Sequence, residues 1–426
     1  MRNYQPGNID IQEILLYNYK GEPTSLSDNF QTINIQEDMF STVTTGSIII
    51  IDSDNLIETF PIVGEETLTV VYRTDEGFDW VTRKFYVSHC SNRTRLSEGQ
   101  YTYVLSFCSE ELMQNKSMIV SRSFDKKSPS EVVDIVLRNI IKTDKEINIE
   151  DSLGLYSYIA PNIRPFEVIS SMSNKARSKT HSNGASYLFF ENKKGFNFVS
   201  LESLFDIPGF MYELGTKNSN QTLNSFNTVN AISASGSASI LDSMASGGLG
   251  ANTKSLDLQS KRVTDVSYNY FDDAEYSKMN HVNGTNSGRR LTTSEYKYKT
   301  NTGLYKFVVG KSNVGDNFKD VNVAKRYAQL SALSNGPKVH IEVHMNSDLT
   351  VGDIIYLKVL TATPSNLSSD KLKEEMFSSG KYIITCLRHE FGLAKGRTML
   401  ELSRDSYSED HEFDSKKTTP VTGSGR

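Results

Sequence analysis

Three residues that could bind a metal stand at alternate positions in the last quarter of the chain. His340, Glu342 and His344 fall on one face of a predicted strand, and imidazole and carboxylate groups are ligands that zinc accepts. The first and last of them would lie roughly 13 Å apart along a strand, too far for one ion unless other elements fold over it. We therefore interpret the trio as a solvated strand face.

A further histidine begins like the helical zinc motif of metalloproteases. His389 is followed by Glu390, but Leu393 occupies the fourth position after His389, where the motif requires histidine. The phosphate-binding patterns GxxxxGK and GxGxxG do not occur in the sequence. The 51 acidic residues offer many carboxylate pairs, and no pair stands out, since glycosidase sites have no fixed spacing. We predict a protein that is not an enzyme, with no catalytic residues, no metal and no cofactor.

The three cysteines give no sign of redox chemistry. Cys90, Cys108 and Cys386 form no CxxC pair and lie in apolar, strand-like runs. We expect buried free thiols that act as small apolar side chains.

Composition points to a soluble multidomain protein of 426 residues. It contains 37% hydrophobic and 23% charged residues, and 21 Tyr and 21 Phe favour strands over helices. A net charge of −5 argues against specific nucleic-acid binding, which relies on clustered Lys and Arg side chains. No segment approaches the ~20 apolar residues that span a bilayer, and the first residues lack the apolar run of a signal peptide. We expect synthesis in a cytosol and no membrane insertion.

The first hundred residues predict short strands separated by turns. Asp-Glu-Gly at 75–77 and Ser-Glu-Gly at 97–99 are hairpin signals, because Gly readily takes a positive φ. Strands of this length and spacing suggest a small barrel. The predicted strands are 30–36, 46–52, 67–74, 80–90 and 101–108.

The middle of the chain has a different, α+β pattern. Ser128, Pro129 and Glu131 provide a capping residue, a first-turn proline and an N3 glutamate for an amphipathic helix. A second helix begins at Pro165, and a hairpin turn at 192–195 joins two predicted strands.

Polar residues dominate the next hundred positions. Residues 216–261 predict a strand, a short helix at 240–244 and an extended stretch to Asp257. Residues 320–333 predict a helix that ends before Gly-Pro. The chain then returns to strands and, beyond residue 405, to a polar segment that we expect to be flexible. These last predicted strands are 338–345, 353–359, 381–388 and 397–403.

The last strand set repeats the pattern of the first in the same order. Gly64-Glu65 begins a strand in the first set, as Gly352-Asp353 does in the last. Short strand patterns are degenerate, so chance similarity is the alternative. If one domain type is used twice, a trimer of this chain would present six similar units. The other matched segments are 85–89 with 382–385 and 103–107 with 398–402.

We predict a β-rich α+β fold in which two small, similar β-barrels flank mixed α/β middle domains. The 216–336 segment combines a strand, a short helix and a strand with polar loops and a further helix, and we expect it to pack with the middle domain. The predicted divisions are an N-terminal barrel at 1–115, an α+β domain at 116–215, this segment at 216–336, a C-terminal barrel at 337–405 and a flexible tail at 406–426.

Several segments together resemble the central baseplate hub subunit of T-even-type contractile-tailed phages, a family related to the hub part of type VI secretion spike proteins. Each segment is architectural and weak alone, and their order carries the resemblance. The segments are YIAPNIRPFEVI at 158–169, YLFFE at 187–191, FVSLESL at 198–204, ILDSM at 240–244 leading to Gly247 and Asp257, Gly352-Asp353, YII at 382–384, Arg388-His389 and LSRD at 402–405.

The resemblance implies a structural virion protein, made late in infection, that acts by binding. It implies a homotrimer whose barrels form a pseudo-sixfold ring continuing the hexameric tail tube, while the remaining domains seat the trimeric cell-puncturing spike. The implied partners are the spike and the tube or tube-initiator protein, with the tape measure protein and the baseplate wedge as further candidates. The implied location is the tail baseplate, assembled in the host bacterial cytoplasm.

Three other functions remain open on the sequence alone. One is the hub section of a non-phage contractile injection system, and another is a tail-associated cell-wall or polysaccharide hydrolase. A carbohydrate-binding adhesin would be expected to expose tryptophan platforms, and Trp80 is the single tryptophan in the chain.

Overall fold

The computed structural model describes residues 7–405 except 54–55, 61, 75–77, 182–183, 215–226, 236–249, 258–260, 270–304, 311–319, 361–374 and 376–377. Strands dominate the described residues, as predicted. No helix among them is long and apolar enough to cross a membrane.

The N-terminal strand set contains seven strands and one short helix, two strands more than predicted. Alternate residues point into its core, as in β4, where Ile48 and Ile50 are buried while Ile49 and Ile51 are half-buried. Its elements are β1 Asp10–Tyr17, β2 Pro23–Ser25, β3 Phe30–Asp38, β4 Thr45–Asp52, α1 Leu56–Thr59, β5 Thr67–Arg73, β6 Val81–Ser97 and β7 Gln100–Cys108.

The middle elements begin as the capping signals predict. The Ser128 hydroxyl accepts from the Glu131 amide at 3.2 Å, and the Glu131 carboxylate accepts from the Ser128 amide at 2.8 Å. The elements are α2 Glu110–Ser117, β8 Val120–Lys127, α3 Pro129–Ile135 with its π-helical continuation Val136–Ile141, β9 Glu146–Ile149, β10 Tyr156–Ile163, α4 Pro165–Ser173, β11 Tyr187–Asn192, β12 Gly195–Ser200 and α5 Leu201–Phe205.

The remaining elements confirm the predicted helix at 320–333 and the extended stretch to Asp257. The predicted helix at 240–244, the turn at 75–77 and the tail at 406–426 lie outside the described residues. The elements are β13 Phe210–Leu214, β14 Val229–Ser235, β15 Gly250–Asp257, β16 Arg262–Asn269, β17 Tyr305–Gly310, α6 Asp320–Asn335, β18 Lys338–His344, β19 Ile354–Val359, β20 Gly380–Phe391 and β21 Gly396–Ser403.

One sheet of 13 strands contains both the N-terminal and the C-terminal strand sets. Its order is β14-β18-β21-β20-β3-β4-β7-β6-β5-β1-β2, with β19 paired to β20 and β13 paired to β19. The two sets are joined by antiparallel pairing of β3 with β20, from Ile33 opposite Phe391 to Asp38 opposite Cys386. We call this strand pair the internal junction.

The C-terminal set repeats the N-terminal set strand by strand. In chain order β3, β4, β5, β6 and β7 correspond to β14, β18, β19, β20 and β21, and in space the orders β3-β4-β7-β6-β5 and β14-β18-β21-β20-β19 match. Every neighbouring pair in both orders is antiparallel. The strand repeat predicted from the sequence is therefore present in the pairing, while closure of either set into a barrel stays a prediction.

Two irregularities recur at equivalent positions of the repeat. The register of β6 against β7 shifts between Val87 and His89, and that of β20 against β21 shifts between Ile384 and Cys386. A second shift lies between Phe30 and Thr32 in β3, and its equivalent lies between residues 229 and 231 in β14. Shared bulges at two sites argue against chance similarity, because a bulge is a specific departure from regular pairing.

The turn before the third strand of each repeat, β5 or β19, is also shared. Gly64 and Gly352 adopt φ values of +95° and +92°, which residues with a Cβ rarely adopt. Just after each glycine, the Glu66 carbonyl accepts from Val87 N and the Asp353 carbonyl accepts from Ile384 N, both at 2.9 Å.

Three apolar cores fill the fold, one under each strand set and one in the middle region. Phe391 from β20 is buried in the N-terminal core, whereas Met39, just after β3, is buried in the C-terminal core. The middle core is formed mainly by α3, α4, β11 and β12. Exchange of residues across the internal junction ties the two outer cores together.

Substituting the two turn glycines should separate backbone strain from steric crowding. A Cβ at Gly64 would meet nothing within 4 Å, whereas one at Gly352 would lie 3.2 Å from the Phe190 ring. We expect Gly64→Ala to lower the free energy of unfolding by about 1–2 kcal/mol and Gly352→Ala to lower it further. Urea unfolding of both variants measures this. Equal losses would show that the contact with Phe190 is unimportant.

Candidate functional site

His340, Glu342 and His344 share the outer face of β18, as predicted. His340 is exposed, Glu342 and His344 are half-buried, and the alternate side chains of the strand are buried. The Glu342 carboxylate accepts from Arg397 at 3.1 Å, and Nδ1 of His344 lies 3.5 Å from Asn230 Nδ2. Among the described residues, no group of three histidine, cysteine, aspartate or glutamate side chains is placed to hold a metal.

A shallow depression of about 410 Å³ crosses this outer face from β14 to β3. The charged side chains on this outer face form ion pairs with one another. Glu390 accepts from Arg388 at 3.1 Å and from Arg397 at 2.7 Å, and Lys338 lies 3.2 Å from Glu401. The charged side chains of this face are therefore largely paired with one another.

The neighbouring residues His389 and Glu390 point to opposite faces of β20. His389 is buried, and its Nδ1 lies 3.0 Å from the Thr398 hydroxyl. Burial lowers the pKa of His389 to about 4, because the imidazolium ion loses its hydration there; Glu37 opposes this shift. The imidazole is therefore neutral at pH 7 and serves as a packed, hydrogen-bonded side chain.

The cysteines agree with the sequence prediction in part. All three are free, but only Cys108 is buried, while Cys90 and Cys386 are half-buried. These two were wrongly expected to be buried, because both lie on strands whose outer faces or edges are partly uncovered. Burial raises the pKa of each thiol, so none is activated as a nucleophile.

The most elaborate polar cluster lies beside the internal junction and is buried. The Glu37 carboxylate accepts from Arg83 Nη1 at 2.8 Å and from the Thr350 hydroxyl at 2.7 Å. The side chains of Glu37 and Arg83 are only 1% and 8% exposed. Arg83 also donates to the Thr44 hydroxyl at 2.9 Å. We call Glu37, Arg83, Thr44 and Thr350 the junction cluster.

A second set of ion pairs links this cluster to the middle region. The Thr44 amide donates to the Glu191 carboxylate at 2.9 Å. Lys145 Nζ lies 2.8 Å from Glu191 and 2.6 Å from Glu111. The polar contacts thus run from the N-terminal set through β11 to the segment before β9.

The junction cluster has a positional role in this arrangement. Its residues come from β3, β6, the turn before β4 and the turn before β19, so it links the two strand sets. The Thr44 amide extends this link to Glu191 in the middle region. Buried charges tolerate little displacement, since losing a partner leaves the remaining charge unpaired away from water.

A buried acid stands beside the cluster at the start of β19. The Asp353 carboxylate accepts from the Thr350 amide at 3.0 Å, and burial raises the pKa of Asp353 to about 6. A raised carboxyl pKa means that folding favours the protonated form. The stabilisation associated with this proton is lost as pH rises from about 4 to 6.

The junction cluster was not predicted from the sequence, although a signal exists. Glu37 continues the alternation of the buried residues Ile33 and Ile35 along β3, and Arg83 is in phase with buried Phe85 along β6. Charged residues at core-facing positions of a strand require buried partners. The partner itself could not be identified, because the two residues are 46 positions apart.

Sequence comparison identifies a relative of nearly the same extent. No family model matches the chain. The probable baseplate hub protein gp334 of Vibrio phage KVP40 is 22% identical over 380 residues, covering 85% of this chain and 86% of that protein. This similarity confirms the resemblance to phage baseplate hub proteins.

Two solved structures share the fold over most of the chain. The tail protein from Neisseria meningitidis MC58 has a TM-score of 0.55 and 10% identity, covering 92% of this chain and 96% of its own. The 43 kDa tail protein of prophage MuSo2 from Shewanella oneidensis also has a TM-score of 0.55, with 11% identity, and covers 92% and 98%. At this identity the likeness concerns the fold alone.

Breaking the buried ion pair should be strongly destabilising. Arg83→Met leaves the Glu37 carboxylate without its cation, and we expect the free energy of unfolding to fall by about 3–5 kcal/mol. The double variant Glu37→Gln/Arg83→Met keeps an oxygen for Thr350 and buries no charge, so it should lose less. Chemical denaturation measures both. A loss below about 1 kcal/mol for the single variant would contradict a structural role for this pair.

Acid sensitivity tests the environment of His389. The unfolded histidine binds a proton near its ordinary pKa of 6.5 and the folded one only near 4, so stability is present above pH 6.5 and is lost as pH falls toward 4. Between pH 7 and 4.5, wild type should lose about 2–3 kcal/mol more than His389→Gln. Denaturation at both pH values measures this. Asp353 titrates in both proteins and cancels, and identical pH dependence would contradict a neutral, buried imidazole.

Proposed function

We propose that this chain is the central hub subunit of a contractile-tail baseplate, a structural virion protein that joins the tail tube to the cell-puncturing spike. The observation that carries the proposal is the repeated five-strand set within one chain. Its support from known proteins is the similarity to a probable baseplate hub protein over most of both sequences.

The repeat is suited to a change of symmetry. A tube with six subunits per ring and a spike with three chains require a connector that offers six similar surfaces on one side and three on the other. Three copies of a chain with two equivalent strand sets meet this requirement. We propose a homotrimer with a pseudo-sixfold ring in which residues 1–115 form one barrel unit and residues 337–405, together with β14, form the other.

The remaining regions fit the second half of this role. The described elements β8 to β12 and β15 to β17 lie outside the repeat and occur once per chain, so in a trimer they would present three equivalent surfaces. We propose that they seat the trimeric spike. The junction cluster supports this, because it links the two strand sets and its Thr44 amide bonds to Glu191 of the middle region.

The proposed function is binding and not catalysis. Glu37 with Arg83 and Glu191 with Lys145 form ion pairs inside the fold, and Glu390 pairs with Arg397 on the outer sheet face. Trp80, the side chain that an adhesin would use as a sugar platform, is 42% exposed, but the Arg73 guanidinium already lies over its ring, 4.4 Å from the centroid. The expected partners are the tube or tube-initiator protein and the spike, with the tape measure protein and baseplate wedge as further neighbours in the virion.

The proposal predicts a trimer of the full chain. Light scattering of the purified protein mixed with its spike protein should include a complex holding three copies of this 47.8 kDa chain per spike trimer. The same measurement without the spike shows whether the trimer forms alone. A chain that stays monomeric in both samples would refute the hub role, and clearing of cell walls by the purified chain would favour the hydrolase alternative.

A further inference from the structure

Strand β20 is paired on one side by two different strands in succession. Its first part, from Gly380 to Ile383, pairs with β19, and its second part, from Cys386 to Phe391, pairs with β3 of the N-terminal set. Strand β21 covers its other side along most of its length. No part of this strand from Cys386 onward is left with an unpaired edge.

The equivalent strand β6 differs on that side. Its first part, from Val81 to Tyr86, pairs with β5, and β7 covers the other side as far as Ser97. Beyond Tyr86, no strand in the described part of the chain pairs with the β5 side of β6. From Ser88 to Ser97, the residues are exposed or half-buried. The free edge of β6 corresponds to the edge of β20 that β3 occupies.

Strand β14 is the counterpart of β3, and among the described strands it has an unpaired edge on the side where β3 pairs with β20. β3 lies between β4 and β20, whereas β14 pairs with β18 and, within the described ranges, ends the sheet on its other side. The free edge of β14 therefore corresponds to the edge of β3 that forms the internal junction.

From these two unpaired strand edges we infer that β6 of one copy pairs antiparallel with β14 of the next copy. The contact would repeat the internal junction, with β6 in the place of β20 and β14 in the place of β3. It is head-to-tail, because the two edges differ, so a closed ring of copies leaves neither edge exposed. This inference rests on the proposed homotrimer and specifies how its copies are joined.

The internal junction also gives the register of the inferred contact. Arg388 lies opposite Gln36 across the junction. Ser91 is the β6 equivalent of Arg388. Both residues occupy the fifth position in the pairing of their strand with β7 or β21, opposite Val104 and Met399. Position 235 is the β14 equivalent of Gln36, because it faces Lys338 as Gln36 faces Thr45. Ser91 of one copy should therefore face Ser235 of its neighbour.

Engineered cysteines test this register. Opposite residues of an antiparallel pair have Cβ atoms about 4.5–5.5 Å apart. This is at the upper limit for a disulfide and within reach of a short, reducible thiol cross-linker. In a background of Cys90→Ala, Cys108→Ala and Cys386→Ala, we expect Ser91→Cys/Ser235→Cys to yield covalent dimers and trimers on a non-reducing gel. These should revert to single chains on reduction.

A matched pair within one chain serves as the positive control. Gln36→Cys/Arg388→Cys occupies the equivalent positions of the internal junction and should form a cross-link without an increase in mass. Ser123→Cys/Ser235→Cys, with one cysteine on β8 outside the inferred contact, should form none. Mixing the single variants Ser91→Cys and Ser235→Cys should give a product that stops at the dimer, while neither variant alone cross-links.

The outcomes separate this inference from the proposed function. A trimer by light scattering that forms the internal cross-link but no cross-link between Ser91→Cys and Ser235→Cys would overturn the strand pairing and leave the hub role standing. Cross-linking of Ser91→Cys alone would show a symmetric contact and would also overturn it. A chain that is monomeric with and without its spike protein would overturn both.

Discussion

The pairing of β3 with β20 is the constraint on which the rest of this structure depends. It joins residues near position 35 to residues near position 388 and makes one sheet of two strand sets that are far apart in sequence. Phe391 and Met39 each cross to the opposite core because of it. Together with the contact between Glu37 and Thr350, this strand pair sets how the two strand sets are arranged.

The junction cluster gives that pairing its precision. Main-chain hydrogen bonds alone would allow β3 to slip along β20, whereas a slip of one residue would move Glu37 away from Thr350 of the other strand set. A buried charge that is satisfied in one register only makes the alternatives costly. The ion pairs to Glu191 and Lys145 extend the same restriction to the middle region, so three parts of the chain share one fixed arrangement.

Local features were predictable from the sequence, and long-range ones were not. The helix at Ser128, the hairpin at 192–195 and the Gly64 and Gly352 turns follow from caps and glycines that act over a few residues. The equivalence of β3 with β14 escaped detection, because a hairpin leads from β3 to β4 while about a hundred residues separate β14 from β18. The junction cluster escaped because strand alternation indicates burial but does not identify the partner across the sheet.

The internal junction also affects how the chain folds during its synthesis. Translation proceeds from the N-terminus, so β3 emerges long before β20, and the roughly 280 residues between β7 and the end of β20 take on the order of 15–60 s to synthesise. During that time the N-terminal set carries an open strand edge to which a neighbouring nascent chain could bind. A ribosome-bound intermediate of this protein is therefore exposed to mispairing, and chaperones that hold strand edges would raise its yield.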